Sequence, residues 1–541
     1  MVFHLVVTPF SLEIFKNLFC GIPEEMGAVL CRTGLSANIR ERRDFSCALF
    51  DSMGRLLAQA AHIPVHLGSM PLLLHRLASE YAFSPGDVIL VNDPFSGGTH
   101  LPDLTLVSSF NVGRKLSGFL AVRAHHADIG GAFPGSMGLS GEIYSEGVRI
   151  PPVYIVKKGK TDRDLLNLLL SNCRSPEERK GDLHAQLAAL KRGEARFKEL
   201  IARYGLKVLK EHTRALLQYS ETLTREALRR IPGGTYRAVE TLDGDGVQKG
   251  LILRVKLVIG GGEVMCDFSG TAAEGRGCLN APLPVTCAAV YYVFRCLIGD
   301  NIPANEGCFR PIRIHVPPGC LLNAGPPRAV AGGNVETSQR VVDLLLLALS
   351  QALPGLIPAA SCGTMNNLSL GWEIEGREDA GSSRDSSLTY YETIGGGAGA
   401  GPEWSGDSGV QTHMTNTRNS PVEWLEILYP LRILRYALRG GSGGSGRLRG
   451  GEGVVKEFEF LAPTRVSMIS ERRESSPYGL AGGGSGAPGA NLLQHRGQTV
   501  KLPAKFVRTV DKGDHLIIET PGGGGWGKIK PQSHGGGKGT P

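Results

Sequence analysis

Six polar residues fall close together in one part of the chain: Asp93, His100, Asp103, His125, His126 and Asp128. His100 and Asp103 stand three positions apart, and His125 follows twenty-two later. Two imidazoles and a carboxylate make a donor set that suits a borderline divalent ion (manganese, iron or zinc), with positions left open for water or substrate. The same residues can equally form a hydrogen-bonded polar cluster, and their spacing matches no named metal motif. His125 and His126 are adjacent at a strand end, so they point to opposite faces and at most one can join the cluster. Asp128 is placed to orient an imidazole. Asp93 offers a further carboxylate, although a turn cap before Pro94 is an equal use for it.

The elements that must carry these residues are two short apolar runs. Val88 to Val91 stops at Asn92-Asp93-Pro94, and Leu116 to Ala124 stops at His125-His126. Both are predicted strands, and Gly97 to Asp103 lies in the loop between them. Upstream, residues 11–33 have helical periodicity with a break expected at Pro23, Asp44 to Ala58 reads as a hairpin, and a helix is expected to end near Tyr81. Residues 165–231 contain few Gly or Pro and read as three or four helices, one starting at Ser175-Pro176. Leu251–Ile259 and Glu263–Phe268 read as a hairpin, Val285–Ile298 and Thr337–Leu353 as helices, and 372–388 as a polar surface insertion. From 425 onward the pattern is β-rich. The expected class is α/β in the mixed, α+β sense. Its expected parts are an N-terminal metal-site domain with a mixed sheet (1–165), a helical lobe (166–235), a central α/β region (236–424), a β-rich region (425–527) and a mobile tail (528–541).

Composition narrows the function. A 541-residue chain with 41% hydrophobic residues can bury more than one core. The net charge of +8 is scattered, with no basic stripe interleaved with aromatics, so nucleic-acid binding is not expected. The eleven cysteines form no C-x-x-C pair, which argues against a zinc ribbon or disulfide framework and for a reducing, cytoplasmic setting. No basic stretch precedes the short apolar run at the N-terminus, and no segment approaches the roughly 20 apolar residues of a membrane span. Gly522 to Lys528 imitates a phosphate loop, but Ile529 stands where a Ser or Thr should be. Gly441 to Gly446 fits G-x-G-x-x-G by letter, without a helix after it. No nucleotide site is expected. Gly332 to Glu336, Met365 to Asn367 and Tyr391 to Gly401 can line a polar pocket or simply make turns and sheet corners.

Several blocks carry a resemblance: Glu41 to Ala48, Asn92 to Asp103, Ala124 to Gly131, Asn305 to Arg310, Gly332 to Arg340, Tyr391 to Gly401, Thr412 to Asn419 and Thr520 to Gly525. Through them the sequence resembles the hydantoinase B/oxoprolinase family from about residue 8 to 527. The resemblance implies one subunit of an ATP-dependent cyclic-amide hydrolase of the 5-oxoprolinase or N-methylhydantoinase type, with acetone carboxylase as a related enzyme. It implies that a hydantoinase A-type partner uses ATP to phosphorylate the carbonyl oxygen of a small cyclic amide, that this chain acts on the activated product, and that the assembly is a hetero-oligomer. It also implies His100, Asp103 and His125 as ligands of a divalent metal, leaving His126, Asp128 and Asp93 as candidates to move the proton. Two other roles stay open: a carboxylase subunit, and a non-catalytic scaffold for the ATP-using chain.

Overall fold

The computed structural model describes residues 7–529 apart from 61, 114, 300–301 and 374–386. Most of the expected insertion at 372–388, and the expected tail from residue 530, lie outside the described residues. Helix α1 (Pro9–Thr33) starts at a Thr8 cap whose hydroxyl receives the Ser11 N–H. It runs unbroken through Pro23, contrary to expectation. The ring costs one helical hydrogen bond, but Pro23 lies on the buried face with Phe15, Phe19, Ile22, Met26 and Leu30, and packing of that face holds the helix together. After the short α2 (Ala37–Arg40) come strands β1 (Phe45–Asp51) and β2 (Leu56–Gln59), helix α3 (Ser69–Glu80), and strands β3 (Val88–Val91), β4 (Asp103–Val112), β5 (Lys115–His125), β6 (Val153–Lys157) and β7 (Lys160–Thr161). These strands form one seven-stranded sheet in the order β2-β1-β5-β4-β3-β6-β7.

Every pairing in this sheet is antiparallel, which corrects the expected mixed sheet. Parallel neighbours need a long crossover, and neighbouring strands here are joined by tight turns or loops instead. The apolar runs are nearly continuous because both faces are covered. Cys47, Leu49, Leu120 and Val122 face α1 and the helices that follow, while Ala48, Phe50, Phe119 and Ala121 face Met70, Leu73, Leu74 and Leu77 of α3.

Three helices follow, α4 (Arg163–Leu170), α5 (Pro176–Tyr204) and α6 (Leu206–Arg229), as the sparse Gly and Pro content anticipates. Leu183, Leu190, Phe197, Leu209 and Leu216 belong to the same core as α1 and the first sheet. A second sheet joins β8 (Gly234–Thr241), β9 (Ile252–Gly260), β10 (Glu263–Asp267) and β11 (Ile312–His315), and its β10–β11 pair is parallel. Helices α7 (Leu283–Ile298) and α8 (Ser338–Ala352) pack on it. A π-helical turn, Gly333–Thr337, leads into α8, closed by the Ser338 N–H bonding to Gly333 O. Gly333 is needed there because a Cβ would lie 1.8 Å from Asn280 O.

The remaining elements are β12 (Asn367–Glu373), β13 (Ser387–Thr393), a short α9 (Val422–Leu428), β14 (Leu431–Arg439), β15 (Gly453–Phe460), β16 (Thr464–Ile469), β17 (Ala490–His495), β18 (Gln498–Leu502), β19 (Lys505–Val510) and β20 (His515–Glu519). They make two sheets, β13-β12-β16-β19 and β14-β15-β20-β17-β18, around one core that includes Leu368, Tyr390, Phe458, Val466 and Leu516. Residues on both sides of position 424 therefore share a sheet. Buried ion pairs tie this unit to α8, Arg340 to Glu471 (2.9 Å) and Arg472 to Asp343 (2.7 Å), and within the unit Lys505 holds the same Glu471 (2.6 Å).

Candidate metal centre

Register brings the distant residues of the cluster together. β4 and β5 pair so that Asp103 stands directly opposite His125. Residues opposite each other on antiparallel strands project to the same face, so the twenty-two-residue separation closes to side-chain contact. Asp103 N donates to His100 O (3.1 Å), folding the preceding turn back. His100 Nε2 then lies 3.3 Å from Asp103 Oδ1, and the two imidazole centroids are 5.0 Å apart. All three residues are buried, and one donor atom from each lies within 4.8 Å of the others.

The surroundings set the protonation of each group. The Asp103 carboxylate accepts from Thr99 Oγ1, and its Oδ2 lies 3.2 Å from His66 Nε2; His66 Nδ1 is 2.8 Å from Ser46 Oγ. Burial alone would raise the Asp103 carboxyl, but the imidazoles of His100 and His66 outweigh it and hold the group well below the usual carboxylate range. Burial, reinforced by His100, holds His125 well below the ordinary imidazole value. An ionised carboxylate beside a neutral imidazole is the state a cation requires. The Tyr391 ring stacks on His125 at 4.6 Å and 8°. Arg42 places its guanidinium over Tyr391 (4.8 Å) and donates to Tyr391 O and Thr393 Oγ1.

The residues fit a cation. His100 Nδ1 and His125 Nε2 are buried, and neither has a hydrogen-bond partner among the described residues. Such orphaned atoms are rare in native cores. The Asn38 amide lies 3.0 Å from His125 Nδ1. The near atom is Asn38 Nδ2, which also reaches His125 O at 3.4 Å, while Asn38 Oδ1 accepts from Arg42 at 3.4 Å, so the amide pins the His125 ring in place. A cavity of about 20 Å³ adjoins the cluster, enough for one ion or one water. Its wall includes Asp44, His66, His100, Asp103, His125, Asn334, Tyr391 and Met414. Another grouping, His495, Asp511 and Asp514, lies partly exposed, and its His495 Nδ1 is bonded to Asp514 Oδ1 (2.7 Å).

None of the three residues expected to move a proton lines this cavity. His126 points away from His125, as strand alternation requires, and meets Gln186 Oε1 at 3.0 Å on α5. Asp128 accepts from Gly130 N, Gly135 N, Arg174 N and the Arg174 guanidinium, so it ties two loops together and orients no imidazole. Asp93 caps the turn at Pro94–Ser96 through Phe95 N and Ser96 Oγ. Each is held by other groups, outside the wall of this cavity. In their place the fold brings in Asp44, His66, Asn38, Arg42, Tyr391 and Asn334. Asp44 immediately precedes β1, whose register sets Phe45 against Ala124; the His125 N–H consequently bonds to Asp44 O at 3.0 Å. No periodicity marks His66, whose ring arrives from a loop 37 positions before Asp103.

The chain is similar to known proteins along nearly all of its length. The family model described as hydantoinase B/oxoprolinase matches residues 8–529. 5-Oxoprolinase 1 of Arabidopsis thaliana is 41% identical over 96% of this chain and 42% of its own length. A Pseudomonas protein named as the B-type chain of a D-/L-hydantoinase is 31% identical over 96% of this chain and 90% of its own. The chain thus spans about two-fifths of the length of the longer curated relatives it matches. Among solved structures, an ATP-dependent caprolactamase from Pseudomonas jessenii superposes with a TM-score of 0.88 at 28% identity, over 97% of this chain and 92% of that one. Acetone carboxylase in a nucleotide-free structure shares the fold, with a TM-score of 0.87 at 17% identity over 96% of this chain and 76% of that one. From residue 8 to 529, spanning the sheet that carries the cluster and every other sheet, this chain belongs to the hydantoinase B/oxoprolinase family.

Proposed function

We propose that the chain is the B-type subunit of an ATP-dependent cyclic amidohydrolase, opening a 5-oxoproline- or hydantoin-like ring after an A-type partner has phosphorylated its carbonyl oxygen. The observation that carries this reading is the buried His100–Asp103–His125 cluster, with orphaned imidazole nitrogens beside a cavity. An unactivated amide resists water, and neither glycine-rich stretch leads into the helix of a nucleotide site, so the activation step is assigned to the A-type partner. The Arabidopsis relative is longer, and the part of it that this chain does not match leaves room for an ATP-using region.

His100, Asp103 and His125 would hold a divalent ion such as manganese, zinc or iron, which supplies Lewis acidity and makes a bound water more acidic. The chain itself excludes bulk water, since every ligand residue is buried. Asn38 and Tyr391 fix the His125 ring. Asp44 and His66 line the cavity, which puts a carboxyl and an imidazole where a proton must be taken up or passed on. The test is co-purification with the A-type partner and an ATP-dependent screen of cyclic amides. His100→Ala should lose bound metal and at least about 100-fold in ring opening while keeping the fold. Intact metal content and intact hydrolysis in that variant would sink the assignment.

A further inference from the structure

Opposite the cluster, the cavity wall holds a polar side chain that the mechanism above leaves unused. Asn334 sits on the π-helical turn before α8, is 3% exposed, and lines the same cavity as His100, Asp103 and His125. Its Oδ1 is buried and has no hydrogen-bond partner among the described residues. A buried amide oxygen without a donor costs stability. The turn cannot relax to relieve that cost. Gly333 is wedged against Asn280 O, and the next residues are anchored by Thr337 Oγ1 donating to Leu279 O (2.6 Å) and Glu336 Oε1 accepting from Met365 N (3.1 Å). Turns with i→i+5 hydrogen bonds recur at functional sites because they re-aim single side chains. Nothing in the packing of α8 requires an amide at this position, since neighbouring Val335 fills the apolar side of the wall and joins the adjacent core.

We propose that Asn334 is the cavity's hydrogen-bond acceptor for the reacting molecule, with Oδ1 receiving a donor that arrives only with substrate. This rests on the amidohydrolase reading above. A cavity of about 20 Å³ takes one polar group and not a ring, so Asn334 meets either the ring N–H, which the O-phosphorylated ring keeps only while its nitrogen is protonated, or the water that attacks it. Both are hydrogen-bond donors, and the experiment separates them. An asparagine kept for the fold would lower the melting temperature when replaced. One kept for substrate would not, because leucine at this position removes an unsatisfied polar atom.

The test compares wild type, Asn334→Leu and His100→Ala, each in complex with the ATP-using partner. 5-Oxoproline and its N-methyl analogue are the probes, and binding of each probe is also measured on the manganese-loaded chain alone. For Asn334→Leu the expected result is unchanged manganese content, a melting temperature equal to or above wild type, and a loss in kcat/KM on the order of 10- to 100-fold. A loss of binding and turnover confined to 5-oxoproline identifies the ring N–H as the donor. An equal loss of turnover for both rings identifies the water. Wild-type binding and turnover in Asn334→Leu would overturn the proposal, as would loss of manganese together with a lowered melting temperature. Should Asn334→Leu not fold, Asn334→Ala carries the same comparisons. If the wild-type complex opens no ring, the amidohydrolase reading fails. Asn334 is then judged on binding alone: weaker 5-oxoproline binding by the variant supports it, and equal or absent binding overturns it.

Discussion

Two regions of this molecule solve opposite packing problems. At the ends of β4 and β5, side chains determine the structure: three donor residues converge, and Tyr391, Asn38 and Arg42 pack against them. Where the glycine-rich segments 395–401, 440–453, 479–486 and 522–527 meet, the determinant is the absence of side chains. These segments lie flank to flank and bond backbone to backbone. Gly444 N donates to Gly523 O, Gly523 N to Gly451 O, Gly451 N to Ala398 O, Ala400 N to Gly524 O and Gly525 N to Gly484 O, all at 2.8–2.9 Å. Strands with side chains cannot approach on every flank in this way. In the first region residue identity supplies donor groups; in the second it supplies none, and where a glycine faces a carbonyl it tolerates nothing larger than hydrogen.

The sharpest way to break this contrast is to add one methyl group. A Cβ at Gly399 would sit 1.8 Å from Ala359 O, and one at Gly523 would sit 1.9 Å from Ala398 O. The obstacles are backbone carbonyls, that of Ala398 held by Gly451 N and that of Ala359 in a residue whose own N–H is held by Ala400 O, so neither swings aside freely. Gly399→Ala should cost at least about 3 kcal/mol, seen as a large fall in the urea midpoint or as insoluble protein. A variant with wild-type stability would show that the segments can part. The next largest effect lies at the cluster. His125→Ala should lower metal affinity by more than about 100-fold, measured by dialysis and metal analysis, with the far-ultraviolet circular dichroism unchanged. Metal retained at wild-type affinity would remove His125 from the ligand set.

The same contrast explains what is legible in the sequence. The hairpins, the helices of 163–229 and the apolar strands follow from periodicity, because each depends on local burial. His100, Asp103 and His125 stand out by residue type. The strand β4 between them does not: Thr105, Ser108 and Ser109 interrupt its apolar run. Asp128, Asp93 and His126 stand out by residue type too, and proximity in sequence does not reveal that Asp128 is bound by Arg174 or that His126 meets Gln186. Asp44 and His66 carry no signal of the site, and Asn334 only that of a glycine-led turn that can line a pocket, since the register of β1, the short turn Pro64–His66 and the π-helical turn bring them to it. The glycine runs are conspicuous as composition, but they imitate nucleotide loops by letter, and their lateral pairing has no period to detect.

Acid should separate the two regions by a smaller effect. Burial holds His126 at about 4, holds His62 at about 4, with His66 and Arg43 adding to the depression there, and holds His125 lower still than an ordinary imidazole. In the unfolded chain these imidazoles take up a proton near 6.5, while in the folded chain His126 and His62 refuse it until about pH 4 and His125 is likewise held neutral well below 6.5. Stability is therefore complete above pH 6.5 and falls as the pH drops from 6.5 toward 4. Each site contributes roughly 1.4 kcal/mol per pH unit at most, so metal-free protein at pH 5 should lose a few kcal/mol. Residues 395–401 and 522–527 contain no titratable side chain. Hydrogen exchange at pH 5 should thus accelerate first at the His125 end of β5, with Gly397, Ala400 and Gly524 still protected. Simultaneous loss of protection in both regions would mean that acid acts through some other group.

The smallest effect discriminates best, because it asks whether the glycine region is sensitive to composition or to individual contacts. Gly440 belongs to the same run as Gly443 and Gly444, yet a Cβ there would meet nothing within 4 Å, and its φ is not positive. Gly443 and Gly444 would each bring a Cβ within 2.3 Å of a carbonyl oxygen. If stability depends on close approach at particular positions, Gly440→Ala should be neutral, or stabilising by up to about 1 kcal/mol through the reduced freedom of the unfolded chain. Gly443→Ala, three residues away, should destabilise as Gly399→Ala does. If both variants destabilise alike, the region needs glycine for something other than backbone contact, and its contrast with the side-chain-built cluster fails. A neutral Gly440→Ala beside a destabilised Gly443→Ala would place the requirement on the carbonyl each Cβ would strike, which neither the glycine count nor the G-x-G spacing can reveal.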